Sequence, residues 1–197
     1  MSPKVYFSVL AVVAVLIAGF FWFGQEEPRV VEDQLVENSE YRLSFNYPGG
    51  PDGYELVESN TSDRFLQSYV IVEGSELEKF QTTEVELAPP TMSIFMFQLP
   101  EEEVPEGEER PGRITRLQNW AQANAGLTAF DQIYGTPDIV EIDGVKALEY
   151  TTDGPYQQTV YLVSYRGTIY MFLGQYDRPT DQIKQDFETL LQTVRFE

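Results

Sequence analysis

The sequence contains no cysteine and no histidine among its 197 residues. Without cysteine the chain cannot form a disulfide, a thiolate nucleophile or a lipid-modified cysteine anchor, and without either residue it lacks the usual ligands of zinc. A Ser-His-Asp or Cys-His catalytic arrangement is excluded as well, because the imidazole that acts as general base is missing. We therefore expect no cofactor, and no catalytic, cofactor-binding or metal-ligating residue can be named.

Basic residues are also scarce, since 13 lysines and arginines stand against 32 acidic residues and give a formal net charge of -19. The four lysines, Lys4, Lys79, Lys146 and Lys184, are far apart in the sequence. Binding to nucleic acid depends on clustered lysines and arginines, so we expect no nucleic-acid partner. The excess negative charge is typical of a soluble, self-repelling surface.

One long uncharged segment stands out near the N-terminus, at residues 5–23. Its 19 residues are nearly all apolar, and a helix of this length spans about the 30 Å of a bilayer core. We predict a transmembrane anchor at residues 1–24, with a cleaved signal peptide as the alternative. Lys4 precedes the segment and Glu26 and Glu27 follow it, which predicts a single-pass protein of the cell membrane with its N-terminus inside and its C-terminal domain extracytoplasmic.

Residues 25–40 differ in character, with six acidic residues, one arginine and Pro28. This composition predicts an acidic linker. The apolar pairs at residues 30–31 and 35–36 leave an edge strand as the alternative. The remainder, residues 41–197, has the length of one ordinary domain.

Several segments of this domain alternate between apolar and polar residues, as half-buried strands do. The clearest single strand covers residues 41–47, and we expect residues 54–57 to return beside it after a turn rich in proline and glycine. Two further β-rich stretches lie at residues 65–72 and 92–98. From residue 139 to 175, turns at Asp143-Gly144, 153–155 and Arg166-Gly167 predict a four-stranded antiparallel meander.

Two segments have helical spacing of their apolar residues. Residues 113–125 predict a helix capped by Gly126, and residues 183–194 predict a second amphipathic helix that begins near Asp181. Strands and helices do not alternate regularly along the chain. We therefore predict an α+β fold with a central antiparallel sheet flanked by helices and preceded by the one transmembrane helix.

The pattern from residue 41 to 197 resembles the PsbP-like domains, whose fold is shared with the nuclear-transport factor Mog1 and with bacterial proteins of unknown function. The similarity rests on four pieces of sequence: YRLSFNYP at residues 41–48, LQNW at 117–120, DGVKA at 143–147 and the segment 187–196. Together with the N-terminal segment it indicates the membrane-anchored bacterial type. The resemblance implies a central antiparallel sheet flanked by helices, used in relatives for assembly and binding rather than catalysis.

Six glutamates gather in residues 101–109. Carboxylate oxygens are the ligands that calcium prefers, but adjacent glutamates interrupted by prolines are typical of an exposed, solvated loop that is dispensable for folding. We favour the loop over a cation site.

Two functions remain for the domain. The favoured one is a non-catalytic binding or assembly module whose partner is another envelope protein or a small ligand. The alternative is a hydrolase, similar to glycosidases, that acts on envelope polymers through carboxylates alone. A deep pocket with two facing carboxylates would support the hydrolase, whereas a shallow apolar patch would support a partner surface.

Overall fold

The computed structural model describes residues 31–60, 65–82, 87–100 and 111–197. Of these, the residues from Val31 to Glu197 form one compact unit. The predicted transmembrane segment, residues 5–23, and the predicted acidic loop, residues 101–109, lie outside the described residues. No helix in the described part of the chain is long and apolar enough to cross a membrane.

The described chain is built mainly from β-strands, with a few helices between them. The strands are β1 (Glu32–Asn38), β2 (Leu43–Gly49), β3 (Tyr54–Asn60), β4 (Gln67–Glu73), β5 (Thr91–Gln98), β6 (Asp138–Ile142), β7 (Val145–Asp153), β8 (Gln157–Tyr165), β9 (Thr168–Tyr176) and β10 (Arg195–Phe196). The helices are α1 (Gly74–Thr82), α2 (Arg113–Ala123), α3 (Ala125–Thr128) and α4 (Gln182–Thr193), with one 3-10 turn at Phe130–Gln132.

The strands form two antiparallel sheets. The small sheet has the order β1-β2-β10, and the large sheet has the order β3-β4-β5-β9-β8-β7-β6. The predicted four-stranded meander is confirmed as β6 to β9. Its two tight turns have positive φ at Asp143 (48°), Gly144 (71°), Arg166 (46°) and Gly167 (87°), as the type I′ turns of two-residue hairpins require.

The predicted fold class, α+β with a central antiparallel sheet flanked by helices, is wrong. The described chain is richer in strand than that prediction, and its strands form two sheets. The transmembrane helix that the prediction placed before the domain falls on residues outside the described part of the chain. The sequence showed where strands lie but not which strands share a sheet. Two sheets result because the strands near the two ends of the described chain pair with each other rather than with the main sheet.

Strand pairing at the start of the domain also differs from the prediction. Seven of the sixteen residues of the predicted linker, residues 25–40, form strand β1, which pairs with β2 along its whole length, so the edge-strand alternative applies to these seven. Strand β3 does not return beside β2, because the second edge of β2 pairs with β10 at Arg195–Ser44. The chain therefore crosses to the large sheet, where β3 forms one outer edge.

The large sheet is covered on both faces. Successive residues of β9 point to opposite faces, so Tyr170 and Phe172 belong to one hydrophobic cluster, and Ile169 and Met171 belong to the other. The first face packs against α4 and the small sheet, with Leu43, Phe45, Phe187, Leu190 and Val194 in its cluster. The second face packs against α2 through Leu117, Trp120 and Ala121. A ligand can therefore reach the sheet only at its edges or beside a helix.

The helices agree with the sequence apart from their ends. Helix α2 ends at Ala123 with Asn124 as its cap, and the predicted cap Gly126 lies inside α3. Asp181 is the N-cap of α4, but its carboxylate accepts the backbone N–H groups of Asp177 (3.1 Å) and Arg178 (2.8 Å) instead of a helix N–H. Helix α1 was not predicted, because its short polar sequence has no sustained apolar stripe.

Candidate functional site

An open groove of about 380 Å³ lies between α4 and the end of the large sheet formed by β6, β7 and β8. We call it the α4 groove, and its lining residues are Val140, Glu141, Ile142, Asp143, Glu149, Tyr161, Glu188, Leu191 and Gln192. The helix is held there by Phe187 and Leu190, each 1% exposed. The next residues of α4, which include Glu188 and Leu191, therefore border the groove.

Two carboxylates of the groove lie close to one hydroxyl group. Tyr161 donates a hydrogen bond from its Oη to Glu149 Oε1 at 2.8 Å. Burial raises the pKa of Tyr161 above its ordinary value, and the bond to Glu149 and the negative charges of Glu149 and Glu188 raise it further. Tyr161 therefore stays protonated at neutral pH and acts as a hydrogen-bond donor.

The negative charge of the groove is only partly neutralised. Glu188 forms an ion pair with Lys184 on the same helix. Among the described residues, however, no lysine or arginine forms an ion pair with Glu149, whose carboxylate is held by Tyr161 alone. The groove therefore contains a half-buried carboxylate for which the described part of the chain provides no cationic partner.

A second carboxylate lies directly opposite Glu149. Strand β6 pairs with β7 so that Asp138 faces Glu149, and residues directly opposite in a ladder project on the same face of the sheet. Like charges in this position destabilise the sheet. Within the described ranges Asp138 has no ion pair either, so a cationic group of a ligand placed here would relieve the repulsion.

The last strand of the large sheet is β6, and no strand of the described residues pairs with its outer edge. Ile142 and Val145, which flank the two-residue turn, form a hydrogen-bonded pair. Because hydrogen-bonded and non-hydrogen-bonded pairs alternate along an antiparallel ladder, the backbone N–H and C=O groups of Ile139 and Glu141 point away from β7. The side chain of Ile139 is 59% exposed. This edge has the hydrogen-bonding groups and the apolar contact that an added strand needs.

Asp143, the remaining acid at the turn, is occupied by the fold itself. Its Oδ2 accepts the backbone N–H of Phe196 at 2.8 Å, and its Oδ1 lies 4.0 Å from Arg195 Nε. The carboxylate therefore fastens the C-terminal strand β10 to the β6–β7 turn. Because it already has these two contacts, the Asp143 carboxylate is not available to bind a ligand.

The sequence named no site residue, and the groove explains why. Glu149 and Asp138 are two of 32 acidic residues, and nothing in their local sequence distinguishes them. The predicted Asp143-Gly144 turn did contain the information that these two residues are paired. Counting outward from a two-residue hairpin turn places residue 138 opposite residue 149. In the described part of the chain no group of three or more acidic side chains is placed to hold a metal ion.

The fold has counterparts among solved structures. A solution structure of cyanobacterial PsbP (CyanoP) from Synechocystis sp. PCC 6803 superposes with a TM-score of 0.51 at 12% identity and covers 88% of this chain and 98% of that one. A crystal structure from Bacteroides thetaiotaomicron VPI-5482 gives a TM-score of 0.44 at 9% identity, over 79% of this chain and 45% of that one. No protein-family model and no curated protein sequence matches the chain. The superposition with CyanoP confirms the predicted PsbP-like fold, and at 12% identity the likeness concerns the fold alone.

Proposed function

We propose that this protein is a non-catalytic binding module that holds an extended, basic segment of a partner protein along β6 and over the α4 groove. The observation that carries the proposal is the pair Asp138–Glu149, which has no cationic partner among the described residues and lies beside the last strand of the large sheet. A strand added to β6 would receive the outward hydrogen bonds of Ile139 and Glu141.

The alternation of strands determines which partner residues suit this edge. Asp138, Val140 and Ile142 project on the face of α4, whereas Ile139 projects on the opposite face. A lysine or arginine of the partner on the first face would lie near Asp138 and Glu149. An apolar residue on the second face would cover Ile139. The partner segment is therefore expected to alternate basic and apolar residues.

A synthetic peptide tests this proposal directly. The purified chain is titrated with the capped pentapeptide Lys-Val-Lys-Val-Lys and, as a comparison, with Glu-Val-Glu-Val-Glu, while backbone amide shifts are followed by NMR. We expect the basic peptide to shift the amides of Ile139 and Glu141, with an affinity that falls as salt is added. Methylating the backbone nitrogens of the peptide that face β6 should abolish binding, because the added strand then cannot donate hydrogen bonds to β6.

Neutralising the acidic pair gives the matched test. Each exposed or half-buried ion pair supplies about 0.2–1 kcal/mol, so Asp138→Asn with Glu149→Gln should weaken binding of the basic peptide by about twofold to thirtyfold. The control, Glu37→Gln with Glu55→Gln, removes the same charge from exposed positions on the edge strands β1 and β3. Equal weakening in both double variants, or equal binding of both peptides, would refute the proposal.

One observation favours the hydrolase as a second candidate. Glu149 and Glu188 both lie near Tyr161 in a groove large enough for a small substrate, and glycoside hydrolysis uses two carboxyl groups on either side of the bond that breaks. The test is a screen of the chain against peptidoglycan fragments and glycosides. Turnover that is abolished by Glu149→Gln or by Glu188→Gln would replace the binding module with the hydrolase.

The extracytoplasmic location of this domain stays a prediction. It rests on the charges that flank residues 5–23, and it agrees with an envelope protein as the partner. Proteolysis of intact spheroplasts tests it, because a domain outside the cytoplasm is digested without lysis. Protection until the cells are lysed would place the domain, and therefore its partner, in the cytoplasm.

A further inference from the structure

The opposite face of the large sheet carries a second cavity, beside α2. It has a volume of about 240 Å³, and the residues that line it include Leu99, Pro100, Arg116, Asn119, Trp120 and Asn124. We call it the α2 pocket. Its helix is fixed by Leu117 and Ala121, which are fully buried against the sheet, so the pocket is formed by rigid elements on one side.

Arg116 is the unusual residue of the α2 pocket. Its Nε is buried and has no hydrogen-bond partner among the described residues. Arg116 also forms no ion pair within the described residues. A buried donor of a charged group that stays unpaired is costly, so the guanidinium is left ready for an acceptor from outside.

The remaining lining determines which acceptor fits. The planar guanidinium matches a carboxylate with two parallel hydrogen bonds. Trp120, Leu99 and Pro100 supply apolar surface next to it. Because the chain has a net charge of -19, its electrostatic field repels polyanions strongly. A ligand with one negative charge on an apolar body is repelled least.

The volume sets the size of the ligand. Pockets for drug-sized molecules measure about 300–1,000 Å³, and the α2 pocket, at about 240 Å³, is smaller. It suits one ring or one branched chain. We propose that the α2 pocket binds a small monocarboxylate with an aromatic or branched apolar body, in which Arg116 pairs with the carboxylate and Trp120 contacts the body.

Trp120 provides the signal for the test. The chain has two tryptophans, so a Trp22→Phe background leaves Trp120 as the only one. This protein is titrated with 3-phenylpropionate and with 3-phenylpropanol, which has the same body without the charge. We expect the carboxylate to change Trp120 fluorescence and to bind at least about tenfold more tightly than the alcohol, the scale of one charged hydrogen-bonded pair.

Variants of α2 complete the test. Arg116→Leu should remove the preference for the carboxylate, whereas Arg113→Leu, an exposed arginine of the same helix, should keep it. The comparison of the two ligands on the Trp22→Phe protein stands even where Arg116→Leu fails to fold. Equal affinity for both ligands, or no saturable binding, would overturn the proposal. So would binding that appears only after the glutamates of residues 101–109 are changed to glutamine, since the chain itself would then supply the carboxylate.

Discussion

Gly174 of β9 is the position where the smallest change should disturb the packing of α4 most. A Cβ atom added there would lie 2.4 Å from Cδ1 of Phe187 and 2.7 Å from both Cε1 and Cγ. Ordinary carbon contacts are about 3.5–4.0 Å, so the ring must move by about 1 Å. Phe187 is 1% exposed, and a close-packed core has no free space to receive it.

The expected cost of Gly174→Ala follows from this clash. Overpacking of a core costs about 1–3 kcal/mol, and each kcal/mol lowers the melting temperature of a chain this long by about 2–4 °C. We therefore expect a fall of about 2–12 °C, measured by circular dichroism, with urea titrations for the free energy of unfolding. The matched control is Gly126→Ala, because a Cβ at Gly126 would meet nothing within 4 Å.

A double-mutant cycle separates the clash from other effects of the alanine. Phe187→Ala removes the ring and costs about 3–5 kcal/mol by itself. In that background Gly174→Ala should cost less than about 0.5 kcal/mol, because the ring that the new methyl group meets is gone. If Gly174→Ala is as harmless as Gly126→Ala, or if it costs the same with and without Phe187, the packing argument is refuted.

The other predictions concern pH and the C-terminus. Burial raises the pKa of Tyr150 and Tyr161 in the folded state, whereas tyrosines of the unfolded chain ionise near pH 10. Above about pH 10 the unfolded chain therefore loses protons that the folded chain keeps, and the free energy of unfolding should fall as the pH rises. Tyr150→Phe should reduce this fall in urea titrations at about pH 8 to 11, and an unchanged slope would contradict it. Asp143→Ala removes the acceptor of the Phe196 N–H, so exchange of that amide should be at least about tenfold faster by NMR. Unaltered exchange would show that β10 does not depend on Asp143.

The hairpin β6–β7 shows how much of the candidate site was available from the sequence. The Asp143-Gly144 turn was predicted, and its positive φ values confirm the two-residue hairpin. Its register brings Asp138 opposite Glu149, so this part of the site depends on local chain geometry. The sequence could not show that α4 would place Glu188 near the same hydroxyl of Tyr161, because helix α4 lies far along the chain.

The α2 pocket depends even more on tertiary structure. The apolar stripe of α2 was predicted, and the burial of Leu117 and Ala121 confirms which side of the helix faces the sheet. Arg116 precedes Leu117 in sequence and looks like an ordinary surface arginine. Only the tertiary structure shows that its Nε is buried and that Leu99 and Pro100, which follow β5, line the same pocket.

The sequence by itself determined the local elements: the strands of the meander, their tight turns, and the apolar stripes of α2 and α4. It could do so because side-chain periodicity and turn chemistry act over a few residues. Only the tertiary structure decided that β2 pairs with β10 in a separate small sheet and that β3 joins the large one. A strand edge can pair with any strand of suitable length, so the choice depends on which arrangement buries the most apolar surface, and that surface comes from residues far apart in the chain.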